Sequence, residues 1–155
     1  MDVRENLLDL LRRGRVEEFN EVSRRRQHVI ELAEVDLSGT RMEGADFRGV
    51  NLDGSKFVRA KLAGCNFRSA SLRFVNMELA DLEGADLGNA NLFSAYLSGA
   101  NLSGVNLRGA DLEAAVLPDD IRADEVSLSR DMGTRLRRDP LVALLKQLSE
   151  KISKL

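Results

Sequence analysis

Tryptophan is absent from this chain of 155 residues, and cysteine, histidine and tyrosine occur once each. Each scarcity excludes something. A single cysteine, Cys65, leaves no internal disulfide, which suits a reducing compartment. With His28 alone and Cys65 in an inward slot, no His/Cys metal cluster can form. Aromatic residues make up 5% of the chain, so a globular core built on large side chains is not expected. Neither sign of charge is in excess, with 23 Lys and Arg against 25 Asp and Glu; direct nucleic-acid binding is not indicated. No stretch approaches the roughly 20 apolar residues that span a bilayer. The opening Met1-Asp2-Val3-Arg4-Glu5 carries charges and lacks the apolar centre of a signal peptide. The expectation is a soluble, cytoplasmic protein without a membrane segment. No Gly-rich phosphate loop or nucleophile elbow occurs either, so neither a cofactor nor a catalytic site is expected.

What is present is a repeat. Written in fives from Val35-Asp36-Leu37-Ser38-Gly39, the chain keeps one register to Ala115-Val116-Leu117. A large apolar residue recurs at Leu37, Met42, Phe47, Leu52, Phe57 and every fifth place thereafter, seventeen times in seventeen. Two places before each stands a small or β-branched residue such as Ala45, Val50, Ser55 or Cys65. Positions five apart on an α-helix differ by about 140°, which would scatter the leucines around the axis. A flat strand fails as well, because an odd period sends alternate leucines to opposite faces.

A three-residue strand followed by a two-residue corner succeeds. The small residue and the Leu or Phe point inward, and the residue between them points out. Gly at the second corner position (Gly39, Gly44, Gly49, Gly54, Gly64, Gly84, Gly99, Gly104, Gly109) is the turn chemistry that such a corner needs. Strand and corner repeated in one sense wind into a β-solenoid with coils about 4.8 Å apart.

Intact copies of one signature stand at Ala80-Asp81-Leu82, Ala85-Asp86-Leu87, Ala90-Asn91-Leu92, Ala100-Asn101-Leu102 and Ala110-Asp111-Leu112. On these residues the chain closely resembles the pentapeptide-repeat family, over a little more than half its length. The resemblance implies an all-β solenoid, a right-handed four-sided β-helix with four pentapeptides per coil. Seventeen repeats then make about four coils, a rod on the order of 20 Å long.

The expected organisation is a helical cap over 1–34, the β-helix over 35–117, a linker over 118–138 and a C-terminal helix over 139–155. Asp2-Val3-Arg4-Glu5 has capping-box spacing before Leu7, Leu8, Leu10 and Leu11, with Gly14 as a stop. Val16, Phe19 and Val22 mark a second short helix, and the hairpin is expected to cover the first coil. Arg24-Arg25-Arg26 reads first as a solvated helix end suited to the dipole, and alternatively as a contact for phosphate or an acidic partner. At the other end, Asp139-Pro140 starts a helix with Leu141, Leu144, Leu145, Leu148, Ile152 and Leu155 on one stripe. Two readings of that stripe stay open, a cap on its own rod or a homodimer through the C-terminal helix; an amphipathic membrane anchor is disfavoured, since the stripe has no aromatic residue and the polar face is only weakly basic.

With four repeats per coil, residues twenty apart stack in columns. Phe74, Phe93, Tyr96, Leu79 and Val58 then collect along one edge, either as a docking strip or as a seat for the C-terminal helix. Arg48, Arg68 and Arg108 share a column interrupted by Gly88, which reads first as balanced by Asp46 and Asp86 on the same face and alternatively as an anion contact. Charge is uneven along the axis. Residues 36–75 hold seven cations and four acids, a net of +3. Residues 76–117 hold Arg108 against Glu78, Asp81, Glu83, Asp86, Asp111 and Glu113, a net of −5. The outward Asp and Asn residues offer no acid–base pair, because a convex rod has no pocket to separate their pKa values.

The functional expectation is a non-enzymatic interaction rod that binds a protein partner through its outer faces. The resemblance implies an alternative, because some members dimerise through a C-terminal helix, imitate duplex DNA and bind type II topoisomerases (DNA gyrase or topoisomerase IV). This chain differs from those in its short array, its near-neutral charge and its N-terminal hairpin, and no loop interrupts its register. A second alternative, end-to-end stacking, is disfavoured by the helices at one end.

Overall fold

The computed structural model describes residues 2–133 and 140–154. Fourteen parallel bridges join residues twenty apart, from Glu31 with Asn51 to Tyr96 with Val116. Twenty residues per coil is four pentapeptides, so the solenoid closes on four sides. The ladder begins at Glu31, one repeat before Val35, and Leu32 is fully buried with the rest of the inward column.

Two hydrogen-bond sets hold each repeat. Between coils, the N–H of each inward large residue from Leu32 to Leu97 donates to the carbonyl of the outward residue nineteen places on, as from Leu62 to Asp81 at 2.7 Å. Within a repeat, the next small residue's N–H closes the corner on the large residue's carbonyl, as from Ala45 to Met42 at 3.0 Å. A turn of this kind needs positive φ at its third residue, which is why glycine is favoured there. Positive φ occurs at every fifth residue from 34 to 114 without exception. Nine of these are the glycines expected from the sequence; the other eight are Glu34, Arg59, Ser69, Phe74, Leu79, Asn89, Ser94 and Ala114.

The core is a stack of thin layers. Phe47 and Phe67, one coil apart, stack at 5.0 Å with planes 8° apart. Phe19 lies 5.2 Å from Phe47, the spacing of a further layer. Phe19 belongs to the second of two helices, α1 (Val3–Arg12) and α2 (Val16–Arg25). Leu7, Leu8, Leu10, Leu11 and Phe19 join the solenoid's own buried cluster. Asp2 occupies the N-cap position of α1 without a side-chain cap bond, so the capping box suggested by its spacing is not formed.

The hairpin also meets the open edge of the first coil. The Asn20 amide donates to the Gly44 carbonyl at 3.0 Å, and the Asp46 N–H donates to Asn20 Oδ1 at 2.7 Å. The Ser23 hydroxyl donates to the Asp46 carbonyl, and Arg4 donates to the Ala33 carbonyl. These are edge groups with no coil beneath them, and unpaired they would invite another strand.

The segment expected to be a linker contains a helix, α3 (Ala123–Met132), and this corrects the sequence reading. Its polar face hid it, but it lies against the last coil. The Leu107 N–H donates to Ser129 Oγ at 3.0 Å and the Gly109 N–H to the Arg130 carbonyl at 2.9 Å. The last helix, α4, spans Pro140–Ser153. Asp139, its expected N-cap, and Leu155 fall outside the described residues.

Candidate interaction surface

The outward position of each strand has a structural duty. An Asp or Asn there accepts, through its side-chain oxygen, the N–H two residues on, which is the first corner residue. Asp36 does so for Ser38, Asn66 for Arg68, Asp81 for Glu83, Asp86 for Gly88 and Asp111 for Glu113. Ser38 donates from both hydroxyl and backbone, which holds the Asp36 carboxyl below its ordinary range. Where the outward residue is Ser71, Asp53 one coil below takes over, accepting from the Ser71 hydroxyl and the Arg73 N–H.

This duty bears on the acidic residues singled out from the sequence. Asp81 also accepts from the Asn101 amide, and Asp86 from the Asn106 amide and Arg68. By register, Asp81 and Glu83 occupy one side, Asp86 the next and Asp111 with Glu113 the one after. Glu78 lies at a further corner. They encircle the rod rather than converge.

The apolar strip does converge. Phe74 and Phe93 share one corner, edge to face at 5.6 Å and 85°. The Arg73 guanidinium lies 5.5 Å from the Phe74 ring centre and 5.9 Å from that of Phe93. On the adjoining face Tyr96 bridges Asn76 on one side and Val116 on the other. Leu79 holds the next corner and lies over Gly99, where an added Cβ would stand 2.7 Å from Leu79 Cδ2. Phe74 is 56% exposed, Leu79 43%, Tyr96 40% and Val116 47%. Phe93 and Val58 are half-buried, and Val58 sits one coil lower with Glu78 above it in its column. Val116 was missed in the sequence, although its place between Ala115 and Leu117 already marked it as outward.

Elsewhere, Leu144, Leu145, Leu148 and Ile152 of α4 are exposed. In the arginine column, Arg48 forks onto Asp46 at 2.9 and 3.0 Å, and Arg68 reaches Asp86 at 3.4 Å over the bare Gly88. Cys65 is buried, donates to the Met42 carbonyl, and has its thiol pushed up to about 12 by burial. Among the described residues no group of three or more His, Cys, Asp or Glu could hold a metal ion. No described helix is long and apolar enough to cross a membrane.

The model for pentapeptide repeats matches residues 30–68, 57–89 and 90–118, with eight copies. The chain belongs to the pentapeptide-repeat family. Its β-helix is therefore the right-handed one of that family. HetL, a pentapeptide repeat protein involved in heterocyst differentiation regulation in Nostoc sp. strain PCC 7120, is 35% identical, with a TM-score of 0.57. The match covers 57% of this chain and 41% of HetL, so the chain spans well under half of that relative. A pentapeptide repeat protein of the Arabidopsis thaliana thylakoid lumen is also 35% identical, covering 63% of this chain and 73% of its own, with a TM-score of 0.40. QnrB1, a plasmid-mediated fluoroquinolone resistance protein, is 22% identical over 56% of this chain and 65% of its own, with a TM-score of 0.29. Comparison with curated protein sequences gave no match.

Proposed function

We propose that this chain is a non-enzymatic interaction rod that holds a protein partner against Phe74, Phe93, Tyr96, Val116 and Leu79. The observation that carries this reading is the conformation of Phe74 and Leu79. Both take positive φ, 58° and 59°, at a corner where glycine would sit free of strain. Left-handed backbone costs a bulky residue about 1–2 kcal/mol, and here the large apolar side chains stay exposed rather than buried in return. Strain kept beside an exposed aromatic cluster is the pattern of a binding face. A photo-crosslinking residue placed at Tyr96, compared with one at Asn106 on the opposite face, tests it. A protein adduct formed from position 96 and not from 106 is expected. Equal adducts from both positions would sink the assignment.

In the same reading, the α1–α2 hairpin and α3 act as covers for the two ends of an array of about four coils, and α4 pairs with α4 of a second copy. Four exposed apolar residues on one short helix support the pairing. The mass in solution tests it, and a chain ending at Gly133 is expected to be monomeric. A dimer that survives that truncation places the interface elsewhere.

The anionic half carries a second reading, a DNA-like surface offered to a type II topoisomerase. It rests on the net charge of −5 over residues 76–117. A gyrase cleavage assay with a quinolone separates the two. Dose-dependent loss of cleaved DNA favours the topoisomerase reading, and unchanged cleavage leaves the strip as the functional face.

A further inference from the structure

Where the end of α2 meets the solenoid, four arginines line one open concavity of about 390 Å³. Arg24 and Arg26 come from the helix end, and Arg48 and Arg68 from one column, beside Gly49 and Ser69. The four are not equivalent. Arg48 is neutralised by Asp46, and Arg68 by Asp86. Arg24 and Arg26 form no ion pair among the described residues. Arg26 is half-buried, with one Nη atom donating to Ser23 Oγ at 3.1 Å. Its other Nη atom lies 3.4 Å from where a Cβ on Gly49 would stand, so the bare glycine leaves that end of the fork clear.

A solvated helix end would turn its cations outward to water. Arg26 instead faces the concavity, where burial lowers the affinity of its guanidinium for a proton and the charge of Arg48 adds to the effect. Asp46 opposes this, yet its carboxylate is already forked by Arg48. The concavity therefore holds two cations without carboxylate partners among the described residues, Arg26 partly withdrawn from water and Arg24 exposed, next to two more. Such a cluster is completed by an anion, and the planar fork of arginine matches an oxyanion with two parallel hydrogen bonds.

We propose that this concavity is an oxyanion site that takes a phosphate group between Arg24 and Arg26, with the Ser69 hydroxyl as a further donor. Arg48 and Arg68 stay on their carboxylates and add a positive field. The space exceeds one phosphate, so a diphosphate or the phosphate ester of a small molecule fits the chemistry. The site lies at a different corner from the Phe74 strip, so neither depends on the other.

Calorimetric titration of the full chain with inorganic phosphate and with pyrophosphate tests the proposal. Arg24→Gln, Arg26→Gln and the double variant are titrated alongside, with circular dichroism to confirm that the coils stay folded. Saturable binding is expected, tighter for pyrophosphate, and each substitution is expected to weaken it about tenfold. Absence of saturable binding for both anions overturns the site. Equal binding by the folded double variant also overturns it, because general salt effects would act on both proteins alike.

Discussion

At the residue scale, the five-residue signature divides its labour. The small and large positions fill the layers, and the Asp or Asn between them ties down the corner that follows. The second corner residue takes the left-handed backbone that closes the turn. Two substitutions separate conformation from packing at that last position. Gly99→Ala forces a side chain into positive φ and towards Leu79, and is expected to cost about 2 kcal/mol in urea unfolding. Ala114→Gly at an exposed corner with φ 58° is expected to be neutral or stabilising by up to about 1 kcal/mol. Cys65 gives a pH test. Its folded thiol is held near 12, whereas an unfolded thiol titrates near about 8.5. Between those values the folded state keeps a proton that the unfolded state releases, so stability falls as pH rises. The loss approaches about 1.4 kcal/mol per pH unit, and Cys65→Ala is expected to remove that part of the slope.

At the element scale, the coils need something at each end. Asn20 is a donor to Gly44 and an acceptor from Asp46, so Asn20→Ala leaves two edge groups without partners. A loss of about 2–3 kcal/mol in unfolding free energy is expected. Ser129→Ala, which strands only the Leu107 N–H, is expected to cost about 1–2 kcal/mol. These elements also show where the sequence was readable. The coils were legible because one inward residue every fifth place is a local, periodic signal. The partners of Asn20, Ser23 and Arg4 were not, since each reaches about 23–29 residues along the chain to a backbone group and backbone groups leave no mark in sequence. Helix α3 lacked an apolar stripe, so periodicity passed it over. Its acidic first turn, Asp124 and Glu125, and Gly133 at its C-terminal end with φ 72° were the signals available.

At the scale of the whole molecule, a convex rod brings few side chains together, and its chemistry lies in what the columns stack side by side. Register alone placed Phe74, Phe93, Tyr96 and Leu79 on neighbouring columns, and the ring contact at 5.6 Å shows how closely two of them meet. The same register spread the acidic residues around the axis, which charge counting along the chain could not reveal. The pocket at the end of α2 was legible in its parts, the Arg24–Arg26 run and the Arg48–Arg68 column, but not as one site, because only the fold brings those segments together. In the proposed reading the strip binds a protein while contributing little to the fold. Its most direct test is the affinity of Phe74→Asn/Tyr96→Asn for the partner captured from position 96. Unfolding is expected to stay within about 1 kcal/mol of the parent, since Asn tolerates positive φ. Affinity is expected to fall about a hundredfold, the weight of two aromatic anchors. Undiminished affinity in the folded double variant would contradict the account.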